Sequence, residues 1–389
     1  MKEQKKQPEL RFKGFTDDWE QHKLGDEVRI VMGQSPNSEN YTDDPNDYIL
    51  VQGNADMKNG RVFPRVWTTQ VTKQAEKDDL ILSVRAPVGD IGKTAYDVVI
   101  GRGVAAIKGN EFIFQNLGKM KSDGYWTRYS TGSTFESINS TDIKEAIISV
   151  PAIEEQNKIG SFFKQLDNTI ALQQRKLDLL TKLKQGYLQQ LFPSKDKYLP
   201  RLRFKEFNGD WKQCTMGEIF TERTERSGEG ELISVTINSG VVKASELDRK
   251  DNSSKNKSNY KKVEIGDIAY NSMRMWQGAS GYSPYKGILS PAYTVITPKN
   301  EIDSEFFAYD FKRFNMIQAF KRNSQGLTSD TWNLKFPTLK SIKINVPHFD
   351  EQRRISNTFN QVDNMLLLQQ TKIDQLNKLK QAYLQKLFP

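Results

Sequence analysis

The chain has 389 residues, a formal net charge of +9, 37% hydrophobic residues, 27% charged residues and one cysteine, Cys214. This length predicts two to three domains, while the single cysteine excludes an internal disulfide framework and fits a reducing cytoplasm. Two histidines and one cysteine leave almost no ligands for a zinc site. The first ten residues lack the apolar core of a signal peptide and no segment approaches a transmembrane span, so we expect a cytoplasmic protein.

A short arm and a first globular segment occupy residues 1–150, which we expect to form the first domain. Short β-rich runs between glycine turns predict strands at Tyr48–Val51, Leu80–Val84, Val98–Ile100 and Ile147–Val150. Residues 20–150 hold 15 basic and 18 acidic residues. If this domain binds DNA, it must therefore do so with a local basic face.

Residues 151–193 predict one long helix. The acidic residues Glu154 and Glu155 favour the positive end of a helix, and Pro193 cannot continue one. Apolar residues recur in alternating steps of four and three, which is typical of a coiled-coil seam. Gln173 lies in the middle of this seam, where it either fixes the register or reaches solvent. The seam positions are Ile159, Phe163, Leu166, Ile170, Gln173, Leu177, Leu180, Lys184, Tyr187 and Leu191.

The second half of the chain repeats the first. Residues 194–346 are expected to hold a second arm and domain, and residues 347–389 a second helix that shares more than half of its positions with the first. Residues 212–346 hold 20 basic and 15 acidic residues. The predicted elements are strands at Leu232–Val235, Asp267–Tyr270, Tyr293–Ile296 and Ile342–Val346, and a helix at Phe306–Phe320. The second seam comprises Ile355, Phe359, Val362, Leu366, Gln369, Ile373, Leu376, Lys380, Tyr383 and Leu387.

This tandem duplication predicts an α+β fold. It consists of two similar mixed α/β domains separated by two long coiled-coil helices, related by a pseudo-twofold axis. The first helix leads from the first domain into the second arm. By symmetry the second helix should end where the first arm begins, so the helices should be antiparallel and Pro389 should neighbour the N-terminus.

No catalytic motif stands out in the sequence. Gly92-Lys93-Thr94 looks like the end of a phosphate-binding loop, but Pro87 stands where that motif needs glycine. The Asp/Asn-Pro-Pro-aromatic signature of adenine methyltransferases is also missing. We therefore expect a recognition protein without a catalytic centre of its own.

Four loops are the candidate DNA contacts. Two follow predicted strands and carry Arg, Asn or Gln, which can hydrogen-bond guanine or adenine edges. Two later segments combine basic and small polar residues around a glycine, which suits phosphate contacts. The alternative for each loop is a solvated turn. The candidate residues are Arg85, Lys93, Arg128, Thr131, Ser133 and Thr134 in the first domain, and Asn271, Arg274, Trp276, Gln277, Arg322, Ser324, Gln325 and Thr328 in the second.

Several leucines of the two helices lie outside the seam. A helix pair with additional apolar positions has room for helices of another protein. The alternative is contact with the chain's own domains. These candidate subunit-interface residues are Leu172, Leu183, Leu188, Leu368, Leu379 and Leu384.

The whole chain resembles the specificity subunit of type I restriction-modification systems. The resemblance rests on two domains, each followed by a helix with Pro, Glu-Gln and Ile at its start and a Leu-Phe-Pro ending, as in Gln185–Pro193. The openings Trp19 with Leu24-Gly25-Asp26 and Trp211 with Met216-Gly217-Glu218 are also similar to the family's.

The resemblance implies a non-catalytic subunit whose two domains each read one half of an asymmetric double-stranded DNA target. The helices would set the unread spacer and dock two methyltransferase subunits. S-adenosylmethionine would bind to those partners, and ATP to restriction subunits in the same assembly. The chain itself would carry no cofactor. Two alternatives remain open: a coiled-coil scaffold whose domains bind proteins, and a self-contained DNA enzyme.

Overall fold

The computed structural model describes residues 7–129, 137–194, 197–248 and 253–389. The chain divides into two compact units. The first comprises residues 1–175 and 370–389, and the second comprises residues 176–369. Each of the two long helices contributes one part to each unit.

The first unit begins with the arm and continues through mixed sheets into a long helix. Its helices are α1 Leu24–Glu27, α2 Glu111–Ser122, α3 Ser140–Lys144 and the first part of α4 Ile153–Gln190. Its strands are β1 Glu20–Lys23, β2 Arg29–Met32, β3 Tyr41–Thr42, β4 Tyr48–Val51, β5 Met57–Lys58, β6 Arg61–Val62, β7 Trp67–Thr68, β8 Gln74–Ala75, β9 Leu80–Ser83, β10 Ile91–Lys93, β11 Val98–Ile100, β12 Val104–Lys108 and β13 Ile147–Val150.

Two larger sheets form the body of the first unit. Their strand orders are β2-β12-β9-β10-β6-β5 and β3-β7-β4-β11-β8. Strand β9 is buried at every position, as its run of aliphatic residues predicts, and it pairs antiparallel with β12 so that Leu82 faces Ala105. Strand β13 pairs antiparallel with β1 and leads directly into α4. The strands predicted for this domain are all confirmed.

The second unit has the same plan with shorter sheets. Its strands are β14 Lys212–Thr215, β15 Phe220–Glu222, β16 Ile233–Thr236, β17 Gly240–Lys243, β18 Lys261–Val263, β19 Ile268–Asn271, β20 Ser280–Tyr282, β21 Gly287–Leu289, β22 Tyr293–Pro298 and β23 Lys343–Val346. Its helices are α5 Met216–Ile219, α6 Ser304–Asp310, α7 Phe314–Asn323, α8 Phe336–Leu339 and the first part of α9 Phe349–Leu387. One sheet has the order β15-β22-β19-β20, and β14 pairs with β23 as β1 pairs with β13.

The prediction of one helix over Phe306–Phe320 is wrong, because the chain forms α6 and α7 with a break at residues 311–313. Arg313 has an extended backbone, with φ −71° and ψ 145°. Its guanidinium pairs with Asp310 and donates to the carbonyl of Pro193, while Lys312 donates to the carbonyl of Ile237 at 2.8 Å. These tertiary contacts compete with a continuous helix.

Each unit has a cluster of four aromatic rings at the junction of arm, domain and helices. In the first unit Trp19, Phe112, Phe163 and Phe388 pack together, with the Phe112 and Phe388 centroids 5.0 Å apart. In the second unit the corresponding rings are Trp211, Phe306, Phe359 and Phe192, with Phe192 and Phe306 also 5.0 Å apart. Each cluster takes rings from both long helices, which explains why the Leu-Phe-Pro ending occurs twice.

Within each unit the two long helices run antiparallel. In the first unit Phe163 of α4 lies near Phe388 of α9, and Asp167 pairs with Lys380 at 2.7 Å. The second unit has the same direction, with Phe192 near Phe359 and Lys184 paired with Asp363. Every seam position is buried or half-buried, as the seven-residue period predicts. Gln369 is 6% exposed and Gln173 is half-buried. These values do not support the alternative that both glutamine side chains simply reach solvent.

The described start of each arm lies against the end of a long helix. Leu10 N donates to the carbonyl of Lys386 at 2.9 Å, which confirms that the first arm neighbours the end of the chain. In the second unit Leu202 N donates to the carbonyl of Gln190, also at 2.9 Å. The pseudo-twofold duplication is thus repeated in individual hydrogen bonds.

Candidate nucleic-acid interface

The Pro and Glu-Gln residues at each helix start fasten arm, domain and helix together. Arg11 of the arm makes a bidentate pair with Glu155, at 2.8 and 2.7 Å, and Glu155 is 1% exposed. Gln156 donates to the carbonyl of Pro151 at 3.0 Å and accepts from Asn110 at the start of α2. The second unit repeats this arrangement, since Arg203 pairs with Glu351 at 2.7 Å and Gln352 donates to the carbonyl of Pro347.

These pairs stabilise the charged forms of their arginines. Hydrogen bonds from the carboxylates of Glu155 and Glu351 raise the pKa of Arg11 and Arg203 respectively, although burial acts in the opposite direction. The same ion pair therefore joins the arm to the start of a long helix in both units.

In the first domain the predicted loop at Arg85 lies beside residues 137 and 138, which follow the second predicted loop in the chain. Ile138 N donates to the carbonyl of Val84 at 3.0 Å, and Arg85 forms a short bridge with Ser137. Arg85 is exposed. The predicted contacts Thr131, Ser133 and Thr134 lie outside the described residues.

Two other predicted residues of this domain already have partners. The ammonium group of Lys93 lies 2.5 Å from the carboxylate of Glu111, and it also faces the ring of Phe114. The guanidinium of Arg128 stacks 3.6 Å from the ring centre of Tyr125, and its Nε donates to the carbonyl of the same residue at 2.9 Å. The charge of Lys93 is thus largely compensated, whereas Arg128 keeps its charge and an exposed position.

In the second domain the loop at Arg274 lies beside the hairpin 325–333, which contains the end of the second predicted loop. Leu334 N donates to the carbonyl of Ser272 at 2.8 Å, the counterpart of the Ile138–Val84 bond. Trp276 is half-buried rather than exposed, because its indole N–H donates to the carbonyl of Met273 and its ring packs edge-on against Trp332 at 5.2 Å. Arg274 and Gln277 are half-buried beside it.

The remaining predicted residues shape the second of these loops. Ser324 Oγ donates to the carbonyl of Phe320, and Gln325 pairs through its backbone with Asn333 to close a hairpin. Thr328 lies in the turn of this hairpin, where its N–H donates to Thr331 Oγ1 at 3.1 Å. Arg322 is exposed. Asn271 Oδ1 accepts from Met273 N, so Asn271 organises the first loop.

Two residues near these loops, Trp332 and Arg102, were missed by the interpretation of the sequence. Trp332 packs on Trp276, and the ammonium group of Lys321 lies 5.5 Å from the Trp332 ring centre. In the first domain Arg102, which follows β11, lines a cavity with Arg85. Trp332 could have been predicted, because a tryptophan within the polar turn 328–333 is unusual. Nothing in the sequence places Arg102 next to Arg85.

The leucines outside the seam separate into two groups. Leu172, Leu183, Leu368 and Leu379 are 64%, 42%, 70% and 44% exposed. Leu384 is 3% exposed within the core of the first unit, and Leu188 packs on the core of the second. The last two thus contact the chain's own domains, as the alternative predicted. Leu179, Met365 and Leu367 are also more than half exposed and extend the apolar surface.

The described residues contain no group of His, Cys, Asp or Glu side chains that could hold a metal ion. None of the helices in the described ranges is long and apolar enough to cross a membrane.

Comparison with known proteins identifies the family. The model of the type I restriction modification DNA specificity domain matches residues 16–182 and again residues 208–378. The putative type I restriction enzyme MjaX specificity subunit of Methanocaldococcus jannaschii is 32% identical over 189 residues, a match that covers 46% of this chain and 44% of that relative. The type I restriction enzyme MjaVIII specificity subunit of the same organism is 21% identical over 94% of this chain and 90% of its own length.

Solved structures share the fold. The type I restriction-modification S subunit from M. genitalium superposes with a TM-score of 0.65 at 18% identity, covering 98% of this chain and 99% of the other. A chain from a study of assembly and conformational transition in a type I restriction-modification system gives a TM-score of 0.53 at 16% identity, with 95% and 97% covered. With both domains matched by the family model, the chain belongs to the type I restriction-modification DNA specificity family.

Proposed function

We propose that this chain gives a type I restriction-modification complex its DNA sequence specificity. Each domain reads one half of a bipartite double-stranded target. The two helices separate the domains and thereby set the length of the unread spacer. The observation that supports the proposal is a duplicated frame in which the segment next to Arg85 or Arg274 is hydrogen-bonded to a second segment of its domain, through Ile138–Val84 and Leu334–Ser272.

The two half-sites should differ in sequence. The frame is repeated residue by residue, from the arginine–glutamate pairs to the aromatic clusters. The loops are not repeated, since residues 84–88 after β9 read Val-Arg-Ala-Pro-Val whereas residues 272–277 after β19 read Ser-Met-Arg-Met-Trp-Gln. Side chains with different hydrogen-bonding groups select different base pairs, so the target is asymmetric.

The exposed leucines of the helices dock the methyltransferase subunits. Exposed apolar side chains in a row are typical of protein interfaces. Leu172 and Leu379 would serve one subunit and Leu183 and Leu368 the other, which matches one partner to each unit. Those partners bind S-adenosylmethionine and methylate an adenine that is flipped out of the duplex. Restriction subunits that use ATP join the same assembly. The proposal also places this protein in the cytoplasm, where the DNA is.

The first experiment is co-expression with the cognate methyltransferase subunit in a methylation-free host, followed by genome-wide mapping of methyl-adenine. We expect a new, asymmetric, two-part motif. Exchange of residues 20–150 for the equivalent domain of another family member should then replace one half of the motif only. A stable complex without methylation would contradict DNA reading by these domains.

The scaffold alternative makes a different prediction. A chain that neutralises DNA phosphates must lose affinity as salt rises, with a slope set by the number of phosphates. Absence of salt-dependent DNA binding by the complex, together with binding of other proteins through the two domains, would favour a scaffold.

A further inference from the structure

A polar cavity lies beside the reading loops of the first domain. It has a volume of about 300 Å³ and is lined by Ser35, Tyr41, Gln52, Asn54, Arg85 and Arg102, together with glycines and other small residues. Among the residues that the structure describes, no acidic side chain lines it. This is unexpected in a segment whose 18 acidic residues outnumber its 15 basic ones. The cavity therefore supplies the local basic face that DNA binding by this domain requires.

The backbone around the cavity is firmly held. Gly101 N donates to the carbonyl of Val51 at 2.8 Å, and Arg102 N donates to Ser35 Oγ at 3.1 Å. A Cβ atom on Gly103 would lie 2.0 Å from the carbonyl oxygen of Gln52, so only glycine permits this close approach. On the other wall Ser83 Oγ donates to the carbonyl of Arg85 at 3.0 Å.

The two guanidinium groups at the rim are not neutralised. Both Arg85 and Arg102 are exposed, and within the described ranges neither forms an ion pair with an acidic side chain. By contrast, the nearby Arg65 pairs with the buried Asp56 at 3.0 Å. Two unpaired positive charges over a wall of hydroxyl and amide groups attract an anion with several acceptor oxygens.

We propose that this cavity binds a backbone phosphate of the DNA and so positions the first domain on its half-site. This inference rests on the proposed function. A concave, acid-free site with two arginines and several hydroxyl and amide donors suits a phosphate that projects from the duplex, because such groups make most phosphate contacts. Base edges lie at the floor of a groove and are reached by side chains that project into it. Arg102 and Arg85 thus hold the phosphate, and sequence is read elsewhere in the loops.

The test uses the complex with its methyltransferase subunit and the duplex motif found for the wild-type protein. Affinity for this duplex and for a scrambled duplex is measured across a salt series. Arg102→Ala should weaken binding to both duplexes by the same factor, roughly tenfold at low salt, and lower the slope of log affinity against log salt by about 0.9. The methylated motif should stay the same.

Two further variants test whether the effect depends on the positive charge of Arg102 alone and whether it is specific to this cavity. Arg102→Lys keeps the positive charge but not the planar fork, so it should retain the salt slope of the wild-type complex. Arg29→Ala removes one exposed arginine from a different cavity of the same domain, one that also contains Glu76, Asp79 and Asp97, and should change neither slope nor affinity. Thermal unfolding of each variant checks that the fold is intact.

Each outcome decides between the possibilities. A relaxed preference at one base position in Arg102→Ala would make the cavity a base reader and overturn the phosphate assignment. An unchanged affinity and slope in the double variant Arg85→Ala/Arg102→Ala would overturn any role of the cavity in DNA binding. If the wild-type complex itself neither methylates a two-part motif nor binds DNA, the proposed function fails, and that result is distinct from failure of the cavity alone.

Discussion

Removal of Arg203 should destabilise the second unit far more than removal of an ordinary surface charge. Its guanidinium contacts both oxygens of Glu351 at 2.7 Å, and Glu351 is 0% exposed. Arg203→Met would leave that carboxylate buried without its partner. Such a change typically costs about 3–5 kcal/mol of unfolding free energy. With a urea dependence of about 2–3 kcal/mol per molar, the unfolding midpoint should fall by roughly 1–2 M.

A double-mutant cycle tests the cause. Arg203→Met/Glu351→Leu removes both charges and should recover most of the lost stability, because an apolar pair of similar volume is often as stable as a buried ion pair. Lys262→Met is the matched control, since its ion pairs with Glu225 and Glu264 are much less buried than the Arg203–Glu351 pair and should contribute less than about 1 kcal/mol. The reasoning is refuted if Arg203→Met shifts the midpoint no more than Lys262→Met does.

Three other predictions concern reading, spacing and pH. Arg274→Ala should change base preference in one half of the methylated motif, and equal loss on every sequence would instead make it a phosphate contact. Inserting seven residues after Leu180, and seven at the matching place in the second helix, adds about 10 Å of helix. The unread spacer of the target should then lengthen by about three base pairs. Altered half-sites with an unchanged spacer would contradict the proposal that the helices set the spacer length. Burial and, secondarily, Lys184 lower the pKa of Lys312 to about 8. Between about pH 8 and 10 the unfolded chain therefore binds more protons than the folded chain, so the free energy of unfolding should rise with pH in this range. Lys312→Met should flatten this rise, which urea unfolding at several pH values measures.

Lys312 also links stability to the candidate DNA-contacting loop of the second domain. Its ammonium group donates to the carbonyls of Ile237 and Gly278, and Gly278 directly follows the reading loop 271–277. These hydrogen bonds favour the charged form, so they oppose the effect of burial on its pKa. Lys312 lies in the break between α6 and α7, so the interruption of the helix positions its ammonium group for these two hydrogen bonds.

The duplicated frame was predictable because its signals are local and repeated. The seven-residue period of α4 and α9 follows from which positions must be buried, and every seam position is indeed buried or half-buried. Aliphatic runs such as Leu80–Ser83 predicted buried strands for the same reason. The repeated Trp19 and Trp211 marked the start of each repeat, and they occupy equivalent places in the two aromatic clusters.

The reading surface was predictable only in part. The sequence indicated the loops at Arg85 and Arg274, but it did not show that Lys93 is paired with Glu111 or that Leu384 is buried in the first unit's core. Nor did it place Trp332 against Trp276, which are far apart in the chain. Which charges are neutralised depends on neighbours distant in sequence, and no local pattern records them.

The amino-acid sequence by itself determined the duplication, the two long helices, the pairing of each arm with a helix end and the family resemblance. All of these depend on periodicity and on repeated residues, which local chemistry specifies. Only the tertiary structure decided that Arg85 and Arg102 line one cavity, because they follow different strands, β9 and β11, which lie in different sheets. Side chains from separate strands form one site only after the chain has folded, so the site is a property of the fold.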